Sequence, residues 1–221
     1  MEIKERLAKI KATLPNNVRL VAVSKYHPTE AIREAYESGQ RIFGKSKVQE
    51  LSQKYDELPT DIEWHFIGHL QTNKVKYIAH FVNLIHGVDS YKLLCEIDRQ
   101  GKRVDRIIPC LLQLHVAQEE TKFGFTPDEC YSLLASGEWK QLEHVRLCGI
   151  MGMGSNTDNM EQVRREFATL HNFFSQVRKD FFSDREEFCE LSMGMSDDYP
   201  IAIREGSTLV RIGSSIFGER I

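Results

Sequence analysis

The sequence predicts an α/β fold: a single (β/α)₈ barrel of the TIM type over residues 1–221, with an additional N-terminal helix. Three observations predict it. Eight short runs rich in β-formers recur down the chain, several almost continuously apolar, as parallel strands covered on both faces should be. The segments between them carry helical periodicity or helix-start signals. The chain is 221 residues long and 41% hydrophobic, enough for one large core, and it has no Pro/Gly/Ser-rich linker, internal repeat or low-complexity tract.

In chain order, Ile3, Leu7, Ile10 and Leu14 form an amphipathic stripe ahead of the first strand. The strands are expected at residues 19–24 (RLVAVS), 41–44 (RIFG), 63–67 (EWHFI), 83–88 (NLIHGV), 107–114 (IIPCLLQL), 145–151 (VRLCGIM), 188–192 (FCELS) and 208–213 (TLVRIG). Successive starts mostly leave room for one strand, one loop and one helix. Two intervals are longer. Thr126-Pro127-Asp128-Glu129 reads as a capping box with proline at the first helical position. Val163, Phe167, Leu170, Phe174 and Val177 place an apolar stripe on one long helix. An open doubly wound sheet is the rival architecture, and the count of eight favours closure.

Composition narrows the function classes. Lys plus Arg (29) nearly balance Asp plus Glu (32), for a net charge of −3, which argues against nucleic-acid binding. The charged N-terminus gives no secretory signal, and no stretch is apolar for the length of a membrane span. Five scattered cysteines make neither a C-x-x-C metal site nor a disulfide framework. Cytoplasm is the expected location, without membrane association.

In a barrel, function gathers where strands end and βα loops begin. Lys25 follows Val21-Ala22-Val23-Ser24 and so stands at the end of the first strand. Partial desolvation there disfavours an ammonium and frees an amine for Schiff-base chemistry; the plainer reading is a lysine that marks a strand end. The loops after strands seven and eight, Ser192-Met193-Gly194-Met195-Ser196 and Gly213-Ser214-Ser215, suit a phosphate, because small residues let backbone N–H groups approach an anion. For Ser196 the plainer reading is an N-cap, and Asp197 and Asp198 would repel a phosphate unless they face away. Arg211 lies in strand eight, which neighbours strand one after closure. Its donor-only guanidinium would hold a pyridine nitrogen unprotonated, or it pairs with a core carboxylate such as Glu190. His65 faces either the barrel mouth or a carbonyl in the core. The His65-x₃-His69 spacing lacks a third ligand, so no metal site is expected. Met151, Met153, Met193 and Met195 read as pocket lining and packing.

Several stretches carry a resemblance: AVSK (22–25), VQEL (48–51), WHFIGHLQTNK (64–74), EETKFGF (119–125) and LSMGMSDDYPIAIREGSTLVRIGSSIFGER (191–220). By these the chain resembles the pyridoxal phosphate (PLP) homeostasis family, whose barrel is like the N-terminal domain of alanine racemase. The resemblance implies PLP as cofactor, Lys25 as the Schiff-base lysine, Arg211 near the pyridine nitrogen, and Ser196, Gly213 and Ser214 around the phosphate. Ser46, His65 and Met193 complete the expected cofactor shell, and no residue is given a catalytic role. One departure stands out. Where the family commonly reads FGENYVQE, this chain reads FGKSKVQE (43–50), so Ser46 replaces an asparagine.

Three functions follow as expectations. The first is a PLP carrier and regulator, monomeric, that passes the cofactor to PLP-requiring apo-enzymes. The second is a weak PLP-dependent amino-acid racemase. Two-base racemisation needs a group on each face of the substrate, and in alanine racemases a further β domain supplies one; with the chain ending at Ile221, that domain is expected to be absent. The third is a cofactor-free Schiff-base aldolase, which gives Arg211 no pyridine to face. The carrier reading is preferred.

Overall fold

The structure is a computed structural model that describes residues 2–118 and 123–218. Residues 119–122 of the EETKFGF stretch and the last three residues of the chain, which include the end of the C-terminal motif, lie outside the described residues. Eight strands close into a parallel barrel in the order β1 to β8. They are β1 Arg19–Val23, β2 Ile42–Lys45, β3 Glu63–Phe66, β4 Leu84–Val88, β5 Ile108–Gln113, β6 Val145–Met151, β7 Glu190–Ser192 and β8 Leu209–Ile212. Closure comes from β1 and β8, with Val21 opposite Arg211 and Ala22 opposite Ile212. No helix among the described residues is long and apolar enough to cross a membrane.

The helices are α1 Ile3–Thr13, α2 Thr29–Glu37, α3 Val48–Glu57, α4 Tyr91–Arg103, α5 Pro127–Ser136, α6 Met160–Phe181, α7 Tyr199–Arg204 and α8 Ser214–Phe217. The expected N-terminal helix is α1, and it buries Leu7 and Ile10. Helix α5 starts at the expected capping box: Thr126 Oγ1 accepts from the Glu129 N–H, the Glu129 carboxylate accepts from the Thr126 N–H, and Pro127 opens the helix. Its end is a left-handed Gly137. The stripe on α6 is realised in full, with Val163, Phe167, Leu170, Phe174 and Val177 all buried. The β3–β4 connection departs from the expected helix, because its ordered part is a six-residue 3₁₀ turn, Thr72–Tyr77.

Two apolar groups hold the barrel. The larger lies between sheet and helices and includes Leu20, Phe43, Trp64, Phe66, Ile85, Val210 and Ile212. The smaller fills the barrel interior with Val21, Leu84, Leu111, Met151 and Leu209. Strand alternation of period two sorts residues between them. On β8, Leu209 joins the interior group while Val210 and Ile212 join the outer layer. Arg211 therefore shares the inward side with Leu209.

Candidate functional site

At the C-terminal ends of the strands, a cavity of about 290 Å³ is lined by Lys25, His27, Ser46, Ser196, Arg211, Gly213 and Ser214, with Val23, Ile67, Met153, Met195, Asp197 and Gly218. That volume is near the lower end for small-molecule pockets, roughly 300–1,000 Å³. A larger groove of about 450 Å³ includes Ile107, Trp139, Val145 and Arg146. It sits at the starts of β5 and β6, the end of a barrel that serves stability rather than chemistry. That groove is charged as well, with Lys140, Glu143, Arg185 and Glu187, but the smaller cavity is the one at the strand ends, where an amine, a guanidinium and hydroxyls meet.

Six of the eight residues expected around the cofactor thus share one wall. Lys25 is half-buried in the turn that leaves β1. Ser46 continues the inward alternation of β2 past Gly44. Gly68 allows the β3 loop to pass Ser46 closely: a Cβ at position 68 would lie 2.4 Å from the Ser46 carbonyl oxygen. Ser196 accepts, through Oγ, from the Gly213 N–H at 3.3 Å, which ties the loops after β7 and β8 together. Ser196 is not the N-cap of α7; that position is Asp198. Asp198 turns back to accept from the Met195 N–H at 2.5 Å. Burial raises its pKa, against the opposing pull of backbone bonds and Arg211. Asp197 remains in the cavity wall, but it is exposed. Water screens it there.

Arg211 does not pair with Glu190. Glu190 instead takes an ion pair from Arg19 and a hydrogen bond from Thr208. The Arg211 guanidinium donates to Ser192 Oγ at 2.6 Å and to the Gly152 carbonyl at 3.0 Å. Burial lowers its pKa to about 10, which leaves it charged at neutral pH.

His65 and Met193 are not among the cavity-lining residues. Met193 is fully buried in the outer core. His65 is buried within the barrel, where Nδ1 lies 3.0 Å from His86 Nε2. His86 Nδ1 in turn lies 2.9 Å from Ser192 Oγ. A polar row therefore runs Arg211–Ser192–His86–His65 across the interior. Burial drives the pKa of His65 down to about 3, with Arg19 adding repulsion. It drives that of His86 well below the ordinary value, helped by His65, Arg211 and Arg19. Both rings are neutral at pH 7. One tautomer assignment satisfies the row: Arg211 donates to Ser192, Ser192 to His86, and His86 to His65. His65 thus reaches the site indirectly, by holding the row that orients Arg211. His69 points elsewhere, bonded to Asp89 at 2.9 Å and stacked on Phe123 at 3.8 Å between ring centroids.

Sequence reasoning missed three residues. His27 lines the cavity and stacks on Phe217 at 5.1 Å. Burial lowers its pKa, with Lys45 adding to the effect. Lys45, fully buried, and Glu50 form an ion pair of 2.6 Å behind the Lys25 turn. A charged residue closing the run Ile42-Phe43-Gly44 was the available signal, because period two turns that side chain away from the cavity and under the helices.

The donor set fits PLP. An amine suits its aldehyde, a donor-only guanidinium suits a ring nitrogen, and hydroxyls with glycine backbone suit its phosphate.

The family described as alanine racemase, N-terminal domain, matches residues 1–221. The pyridoxal phosphate homeostasis protein of Aquifex aeolicus is 39% identical over 207 residues, covering 93% of this chain and 88% of that protein. That of Schizosaccharomyces pombe is 38% identical over 207 residues, covering 92% and 85%. Among solved structures, PipY of Synechococcus elongatus PCC7942 without PLP superposes with a TM-score of 0.92 at 36% identity, covering 98% of this chain and 100% of that one. The PLP-bound PipY structure gives 0.88 with the same identity and coverage. Alanine racemase of Clostridium difficile 630 shares the fold, with a TM-score of 0.80 at 16% identity over 99% of this chain and 56% of that one. With relatives of this identity aligned across nearly its whole length, the chain belongs to the pyridoxal phosphate homeostasis protein family.

Proposed function

We propose that this protein binds pyridoxal 5′-phosphate covalently on Lys25 and serves intracellular PLP homeostasis as a carrier rather than as an amino-acid-processing enzyme. The observation that carries the reading is the convergence of Lys25, Arg211, Ser196, Gly213 and Ser214 on one cavity at the functional end of the barrel. When bound, the cofactor would supply an aldehyde, and Lys25 would hold it covalently through the neutral form of its amine. The Ser196 and Ser214 hydroxyls, on the two loops that the Gly213 N–H to Ser196 Oγ bond ties together, would hold the phosphate. Arg211, oriented by Ser192, keeps the ring nitrogen unprotonated and so makes the ring a weaker electron sink than a protonated pyridinium. That setting suits storage and release better than carbanion chemistry. The names of the relatives point the same way, and apo-enzymes that require PLP are the recipients this reading implies. Racemisation is the second reading, and it rests on the shared barrel alone.

The test is spectroscopic. Purified protein mixed with PLP should develop a visible absorption band, and borohydride reduction should fix a pyridoxyl group on Lys25, located by peptide mass spectrometry. Lys25→Ala should lose the band and retain weak PLP binding through the phosphate contacts. A visible band that survives in Lys25→Ala would show that another amine carries the cofactor.

A further inference from the structure

The turn that carries Lys25 is strained, and a buried ion pair grips it on both sides. Ser24 O accepts from the His27 N–H at 3.2 Å, which closes a four-residue turn with Lys25 and Tyr26 in the middle. Tyr26 has φ of +68°, a left-handed value that a bulky residue rarely adopts. A positive φ at the third position is the pattern of a type II turn, which normally places Gly or Asn there. The central peptide of such a turn is rotated relative to the commoner type I form. Its N–H belongs to Tyr26, and it donates to Glu50 Oε1 at 2.9 Å. The same Oε1 accepts from Lys45 Nζ at 2.6 Å. Lys45 Nζ also donates to Ser24 O at 2.5 Å. The peptide group on each side of Lys25 is therefore bonded to one member of the Lys45–Glu50 pair. Lys45 comes from the end of β2 and Glu50 from the first turn of α3, two rigid elements.

We propose that Lys45 and Glu50 are positioning residues that hold the Lys25 turn in its rotated form, so that the amine faces the cavity already oriented for the cofactor aldehyde. Without the pair, the relaxed turn competes, and part of the binding free energy is spent on restoring the rotated one. The proposal rests on the assignment of PLP to Lys25.

The test removes the pair whole, as Lys45→Met together with Glu50→Leu, so that no buried charge is orphaned. Two ligands are compared: PLP, followed through the lifetime of its visible band after dilution into an aldehyde scavenger, and pyridoxine 5′-phosphate, which keeps the ring and phosphate but has an alcohol for the aldehyde. The PLP lifetime should fall on the order of tenfold, the scale of a hydrogen bond to a charged group. Affinity for pyridoxine 5′-phosphate should stay within about twofold. Adding Tyr26→Gly, which removes the cost of positive φ, should restore most of the lost lifetime. An unchanged PLP lifetime, an equal loss for both ligands, or no recovery with Tyr26→Gly each overturns the proposal. If the double variant does not fold, Lys45→Met alone, which removes the bond to Ser24 O and leaves only the partly exposed Glu50 carboxylate unpaired, makes the same comparison with and without Tyr26→Gly. Failure of the underlying assignment is separately visible, as absence of the band from the unaltered protein.

Discussion

Acidification is expected to destabilise this barrel well before its carboxylates titrate. His65 is 2% exposed and takes its folded pKa of about 3 chiefly from burial, against 6.5 in a solvated chain. The unfolded state therefore binds a proton that the folded state refuses, and stability falls as pH drops below 6.5 towards 3. Each pH unit within that window costs ~1.4 kcal/mol. Between pH 7 and pH 5, His65 alone removes ~2 kcal/mol, allowing for the curvature near 6.5. His86 and His27, whose pKa values are also lowered, add losses of the same sign. Asp198 opposes them, because a raised carboxyl pKa favours the folded state as protons are added. In a domain of this size ~2 kcal/mol lowers Tm by roughly 4–8 °C. The assay is urea unfolding of the cofactor-free protein at the two pH values, with His65→Leu in parallel. The unaltered protein should lose ~2 kcal/mol, and the variant should show a clearly shallower dependence. Equal stability at pH 7 and pH 5, or an undiminished loss in His65→Leu, would refute the assignment of a neutral buried ring.

Two further outcomes follow from geometry. Gly68→Ala puts a Cβ against the Ser46 backbone, so it should cost ~1–3 kcal/mol in thermal unfolding and weaken PLP binding by shifting the Ser46 wall; unchanged Tm and affinity would contradict the close approach. Thr126→Ala dissolves the capping box of α5 and should cost ~1 kcal/mol, whereas Thr126→Ser should recover most of it in the same melt.

The architecture was legible because each strand is a short apolar run, and because α1 and α6 carry an apolar stripe and α5 a start signal. Local signatures need no long-range contact to be read. All eight strands fall where the β-rich runs place them, with ends moved by at most a residue or two, and α5 begins on its capping box. The 3₁₀ connection after β3 was not legible, since a short polar segment such as Thr72–Tyr77 carries no periodicity that separates one helical form from the other.

The site divides along the same line. Lys25, Ser196, Arg211, Gly213 and Ser214 could be read because strand-end position in a barrel already implies a common mouth. What each side chain bonds to could not be read, because those partners come from distant strands brought together only by closure. Ser192 meets Arg211 and His86 across the interior, while Glu190 is taken up by Arg19. For His65 the sequence left a mouth-facing and a core reading open; closure buries it beside His86. The Lys45–Glu50 grip on the Lys25 turn was invisible for the same reason. Sequence by itself determined the order of elements, which follows from local periodicity. Tertiary structure decided which inward groups reach the cavity and which are buried in polar rows, because depth and partner depend on how eight strands close.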